Sequence, residues 1–141
     1  MSLLDAPPTS RPRSLARILL GAILVFAGVS HLTFARQEFE AQVPDWFPVD
    51  DDPVVLVSGL VEISLGAALV GFARGRVGVG LVAAAFFVAI FPGNIAQYVE
   101  GTDAFGLDTD QKRFVRLFFQ PVLVLWALWA TGAWRDRRAL R

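Results

Sequence analysis

Residues 54–72 read VVLVSGLVEISLGAALVGF. This run carries a single ionisable side chain, Glu62, and lacks the polar stripe that a soluble amphipathic helix shows. At about 1.5 Å per residue it is long enough to cross a hydrocarbon layer of ~30 Å. Three further runs have the same character: Leu15–Phe34 (LARILLGAILVFAGVSHLTF), Val77–Ile95 (VGVGLVAAAFFVAIFPGNI) and Phe114–Thr131 (FVRLFFQPVLVLWALWAT). The alternative, a soluble bundle of buried helices, predicts polar faces that these runs do not have. The sequence therefore predicts an all-α fold, an integral membrane four-helix bundle. Residues 1–14 are expected to form a disordered cytoplasmic tail. Residues 15–134 are expected to form the four-helix domain, and residues 135–141 a basic tail.

The composition agrees. Of 141 residues, 55% are hydrophobic and only 18% are charged, below the roughly 25% usual in soluble domains. A chain this apolar is not intrinsically disordered. Thirteen basic residues balance thirteen acidic ones, so the charge carries no footprint of nucleic-acid binding. The absence of cysteine excludes disulfides, thiol redox catalysis, iron–sulfur clusters and thiolate zinc sites. A single histidine excludes a haem held between two protein histidines, and no metal site is expected.

Arginine placement gives an orientation. Arg11, Arg13, Arg17, Arg74, Arg76, Arg135, Arg137, Arg138 and Arg141 fall on one side of the four runs, whereas most acids fall in the two longer loops, about 35–53 and 96–113. The positive-inside rule places both termini and the 72–77 turn in the cytoplasm of a multi-pass cell-membrane protein. Trp126, Trp129 and Trp134 approach the inner interface as lipid anchors, with Trp46 near the outer one.

Placed by depth, the polar residues within the runs are asymmetric. His31, Glu62, Asn94, Arg116 and Gln120 all fall in the outer half, at least one on each helix. A lone charge at the bilayer centre costs at least ~2.5–3.5 kcal/mol, so Glu62 requires protonation or a partner. Arg116 is the first candidate partner because its guanidinium can grip a carboxylate bidentately, and His31 is the second. Ser58, Glu62 and Gly66 share one helix face, as do Ala27 and His31, with Gly21 and Gly28 nearby to permit close approach. Phe87, Phe91, Phe118 and Phe119 are expected to wall a cavity, and Pro92-Gly93 and Pro121 to open it by kinking two helices.

Such a pocket suits an amphipathic ligand with a polar head, and a quinone fits. His31, Asn94, Arg116 and Gln120 would bind its oxygens with Phe91 beside them, and Glu62 and His31 would carry the proton chemistry. The bland alternative is that these groups only knit the helices together. A transporter ranks last because the inner halves offer no polar route.

The residues resemble the DoxX family of small four-helix membrane proteins. The likeness runs through Leu20-Gly21, Ala27-Gly28-Val29-Ser30-His31, Val43-Pro44-Asp45, Ser58-Gly59-Leu60-Val61-Glu62-Ile63 with Gly66, Phe91-Pro92-Gly93-Asn94-Ile95, and Arg116-Leu117-Phe118-Phe119-Gln120-Pro121. It covers residues 15–134. The resemblance implies a membrane subunit of a quinone-linked oxidoreductase system, with quinone as cofactor and a redox or other membrane protein as partner. Homo-oligomerisation is compatible with it. Some members instead look like non-catalytic assembly or chaperone modules. The fold is similar to that of membrane thiol–quinone oxidoreductases, whose cysteines this chain lacks.

Overall fold

The computed structural model describes residues 8–41, 43–104 and 106–140. Four long helices run up, down, up and down: α1 (Arg11–Leu32), α3 (Asp51–Gly71), α4 (Arg76–Glu100) and α5 (Asp110–Ala130), each long and apolar enough to cross a membrane. Between α1 and α3 sits a short helix, α2 (Arg36–Glu40), and a single turn, α6 (Ala133–Asp136), follows α5. Among the described residues there is no strand beyond an isolated bridge between Ala104 and Leu107.

Helix boundaries follow local chemistry. Ser10 accepts from the Arg13 amide and Pro12 sits in the first turn, so residues 11–14 belong to α1 and not to the tail. Of the rest of that expected tail, residues 1–7 lie outside the described residues. Thr109 caps α5 through the Lys112 amide at 3.2 Å. Gly101, at φ 66°, ends α4 in the left-handed conformation. Pro92 and Pro121 lie inside continuous helices; an apolar helix among neighbours tolerates the missing backbone bond. Asn94 is therefore well inside α4 and not at its end.

Glycines set the tightest packing. A Cβ at Gly21 would meet the Gly66 carbonyl at 2.7 Å, and one at Gly28 would meet the Gly59 carbonyl at 2.6 Å. The two glycine pairs, seven residues apart on each helix, bring α1 and α3 into backbone contact. α4 packs on α5, and the pairs close into a ring through α1 with α5 and α3 with α4. The core, formed by Leu20, Leu24, Leu65, Leu69, Ala83, Ala84, Phe87 and Ala127, lies toward the half of the bundle that holds the chain termini, and its Leu20, Leu24 and Phe87 border the open half. Outward faces are apolar, with Phe26, Val57, Leu60, Val88, Phe118, Phe119 and Leu125 all exposed. An apolar surface this extensive fits a multi-pass membrane protein.

Arginines seal the termini end. Arg17 donates to the Leu69 and Val70 carbonyls at the end of α3. Arg76 donates to the Thr131 carbonyl at 2.5 Å and to Asp136 at 2.8 Å. Arg13 reaches the Trp129 carbonyl at 2.8 Å, and the Trp126 indole N–H donates to the Ala16 carbonyl at 2.9 Å. Helix C-termini leave four carbonyls without intrahelical donors, and cations there also meet the negative end of the helix dipole.

Candidate functional site

The opposite half of the bundle is hollow. A cavity of about 580 Å³ lies between the helices, within the size range of small-molecule sites. Leu20, Ile23, Leu24 and Ala27 line it from α1, and Phe86, Phe87 and Ile90 from α4. Val43, Pro44, Trp46 and Phe47 line it from the connection before α3. Its polar groups are His31, Ser58, Glu62, Asn94, Arg116 and Gln120. Ile23, Trp46, Phe47, Ala89 and Pro92 line the cavity while remaining exposed, so it opens to the surroundings of the bundle.

At its head, His31 Nδ1 lies 2.8 Å from Glu62 Oε2 and 2.9 Å from the Ala27 carbonyl oxygen one turn back on α1. Both residues are buried. The His31–Glu62 contact has ion-pair distance but no aligned hydrogen bond, and Glu62 Oε2 is buried without a hydrogen-bonding partner. Gly59 makes the approach feasible, since a Cβ there would lie 2.9 Å from the His31 Cβ. The ring of Phe39 on α2 stacks on the imidazole with centroids 3.3 Å apart. Arg36 holds α2 to the start of α3 through Asp52 and also approaches Glu40 at 3.6 Å.

On the far wall, Gln120 bridges α4 and α5. Its Nε2 donates to the Phe87 carbonyl at 2.5 Å, and its Oε1 accepts from Asn94 Nδ2 at 3.4 Å and from Arg116 at 3.4 and 3.5 Å. The carbonyl of Phe87 is an acceptor inside α4, so the amide of Gln120 is fixed in one orientation.

The structure thus brings His31, Glu62, Asn94, Arg116 and Gln120 to one cavity, and corrects two details. Glu62 meets His31 and not Arg116. α3 and α5 stand diagonally across the bundle, with the cavity between them, and Arg116 instead turns to Gln120 one turn along its own helix. The phenylalanine wall also differs. Phe87 lines the cavity as expected, but Phe91 does not, and Phe118 and Phe119 point outward at 61% and 57% exposure. The lining face of α4 ends at Phe87 and Asn94, and Phe91 lies about 40° beyond Phe87 at 100° per residue.

Phe39, Trp46 and Phe47 were not anticipated as cavity residues. The signal was there: Phe39, Val43, Pro44, Trp46 and Phe47 recur every one to four residues inside an otherwise acidic loop. A loop meant only for water has no use for that spacing.

A family model described as Domain of unknown function (DUF8561) matches residues 20–131, and the chain belongs to this family. The match takes in the whole cavity head, from His31 to Gln120. No curated protein matches the chain, and no solved structure does.

Proposed function

We propose that the protein is a multi-pass membrane subunit that binds a quinone, a quinol or a similar amphipathic ligand in this cavity, within a quinone-linked oxidoreductase system. The termini end faces the cytoplasm, as its arginines require under the positive-inside rule, and the cavity lies in the outer half of the bundle. Relation to DoxX-like proteins is part of the same proposal and rests on the residues quoted above.

One observation carries the reading: Glu62, buried and lacking a hydrogen bond at Oε2, stands at the head of an apolar cavity of about 580 Å³. An unsatisfied buried polar atom costs about 1–3 kcal/mol, and a polar ligand head removes that cost. The apolar walls accept a ring or tail, and the exposed lining residues give a lipid-soluble molecule a way in. In this account a partner protein supplies the redox chemistry.

Mass spectrometry of lipid extracted from protein purified in mild detergent tests the proposal, with Glu62→Gln alongside. Stoichiometric quinone or quinol in the wild type, depleted in a variant with an unchanged melting curve, is the expected result. A second reading, an assembly module, draws on the Gln120 bridge, which joins α4 and α5 without any ligand. Empty wild-type protein that also takes up no added quinone would favour that reading.

A further inference from the structure

Arg116 brings a fixed charge to the cavity, because a guanidinium stays protonated in proteins. It is half-buried on α5, and Glu62 meets His31 on the diagonally opposite side of the bundle. Among the described residues no carboxylate reaches ion-pair distance of Arg116, and no other charged group acts on it. Its guanidinium lies against Gln120, which is buried and lines the same cavity. That contact is long, at 3.4 and 3.5 Å to one acceptor atom, Oε1. Guanidinium has five N–H donors, so most of the fork is unused. The same corner holds further donors. Gln120 gives one N–H to the Phe87 carbonyl and Asn94 gives one to Gln120 Oε1, and each amide keeps a second. An uncompensated cation within a membrane span is costly, and a matching anion removes that cost.

We infer that the α5 corner of the cavity is an anion site, so that the ligand is an acidic amphiphile with a carboxylate-type head on Arg116 and an apolar tail among Ile23, Phe86, Phe87 and Leu123. This rests on the ligand site proposed above and names its head group. Two carboxylate oxygens match two parallel N–H bonds of a guanidinium, a geometry that lysine does not offer. The tail-lining residues sit deeper in the bundle than Arg116, so a head at this corner leaves the chain of the ligand in the apolar part of the cavity.

The test is equilibrium binding to the purified protein in detergent of dodecanoate, dodecanol, dodecyl phosphate and a neutral short-chain quinone, at about pH 8 where a carboxylate is ionised. Dodecanoate is expected to bind on the order of tenfold more tightly than dodecanol. Arg116→Gln is expected to abolish that preference and Arg116→Lys to keep part of it. Micelle partitioning is common to wild type and variants, so the change on substitution isolates the guanidinium. Melting curves check folding; if Arg116→Gln does not fold, the wild-type ratio and Arg116→Lys decide. Dodecanol binding as tightly as dodecanoate, or a preference that survives in Arg116→Gln, overturns the inference. Dodecyl phosphate binding more tightly than dodecanoate overturns the carboxylate assignment in favour of a lipid phosphate. Quinone binding without any dodecanoate preference overturns the anion site while the ligand site stands. If no probe binds, both fall.

Discussion

The two halves of this bundle treat buried space in opposite ways. At the termini end, Arg17, Arg76 and Arg13 each meet helix-terminal carbonyls, and Arg76 also meets Asp136. Leucines and alanines fill the space above them. In the other half the space stays open, and a carboxylate is buried beside a histidine without a hydrogen bond at Oε2. The same helices build both, so the difference lies in side chains alone. A filled core tied by arginine–carbonyl bonds marks a region that holds the fold together. An unfilled cavity with an unsatisfied acceptor marks a region kept for something else, at a cost in stability.

Perturbing the sealed end should have the largest effect on stability. Arg76→Ala removes the donors to Thr131 and leaves Asp136 with one fewer partner in a partly buried site. Asp136 keeps Arg135 as a partner, but the buried Thr131 carbonyl loses its donor at a cost of about 1–3 kcal/mol, and the thermal midpoint in detergent should fall accordingly. A midpoint within a degree or two of wild type would show that this end is not what holds the bundle.

The hollow half should respond with the opposite sign. Glu62→Leu is expected to stabilise the fold by about 1 kcal/mol, because it removes an unsatisfied buried acceptor, while ligand binding is lost. Loss of stability in this variant would mean that Glu62 is a structural brace, and the contrast between the halves would disappear.

Phe39→Ala sharpens the comparison further. The ring stacks on His31 from a short helix outside the main bundle, so its removal should barely move the melting midpoint. It should weaken quinone binding several-fold by freeing the imidazole. Equal losses in both measurements would assign Phe39 to the fold.

The smallest effect concerns acid. Asp136 beside the Arg135 guanidinium, and bonded to Arg76, is held down to about 2 from an ordinary 3.8. A depressed carboxyl contributes stability that is fully present above the unfolded value and is lost as pH falls through the folded one. The thermal midpoint should therefore gain nothing from this pair below pH 2 and show its full contribution above about 4. Comparing wild type with Asp136→Asn across that window isolates it; identical pH profiles would remove Asp136 from the seal.

The sequence made the four long helices readable, because each run is apolar nearly all round. It also made the depth of His31, Glu62, Asn94, Arg116 and Gln120 readable, since depth follows from position along a helix. The partner of Glu62 was not readable in this way. Choosing His31 over Arg116 depends on which helices are neighbours and which are diagonal, and no periodicity within one helix contains that. Phe91 failed for a related reason: its depth was right and its angle about the axis was not. Phe39 and Trp46 sit in a connecting segment, where the path of the chain decides what they touch. The ends of α1 and α4 moved because a serine cap and a left-handed glycine outweigh where the apolar run happens to stop.

The central claim is that the hollow half is a ligand site, and photolabelling tests it most directly. A quinone analogue carrying a photoreactive tail, mapped by peptide mass spectrometry, should label α1 between Leu20 and His31 and α4 between Phe86 and Asn94, and excess unlabelled quinone should suppress the signal. Labelling spread over the outward faces at Phe118, Phe119 and Leu125, and unmoved by competitor, would contradict the account.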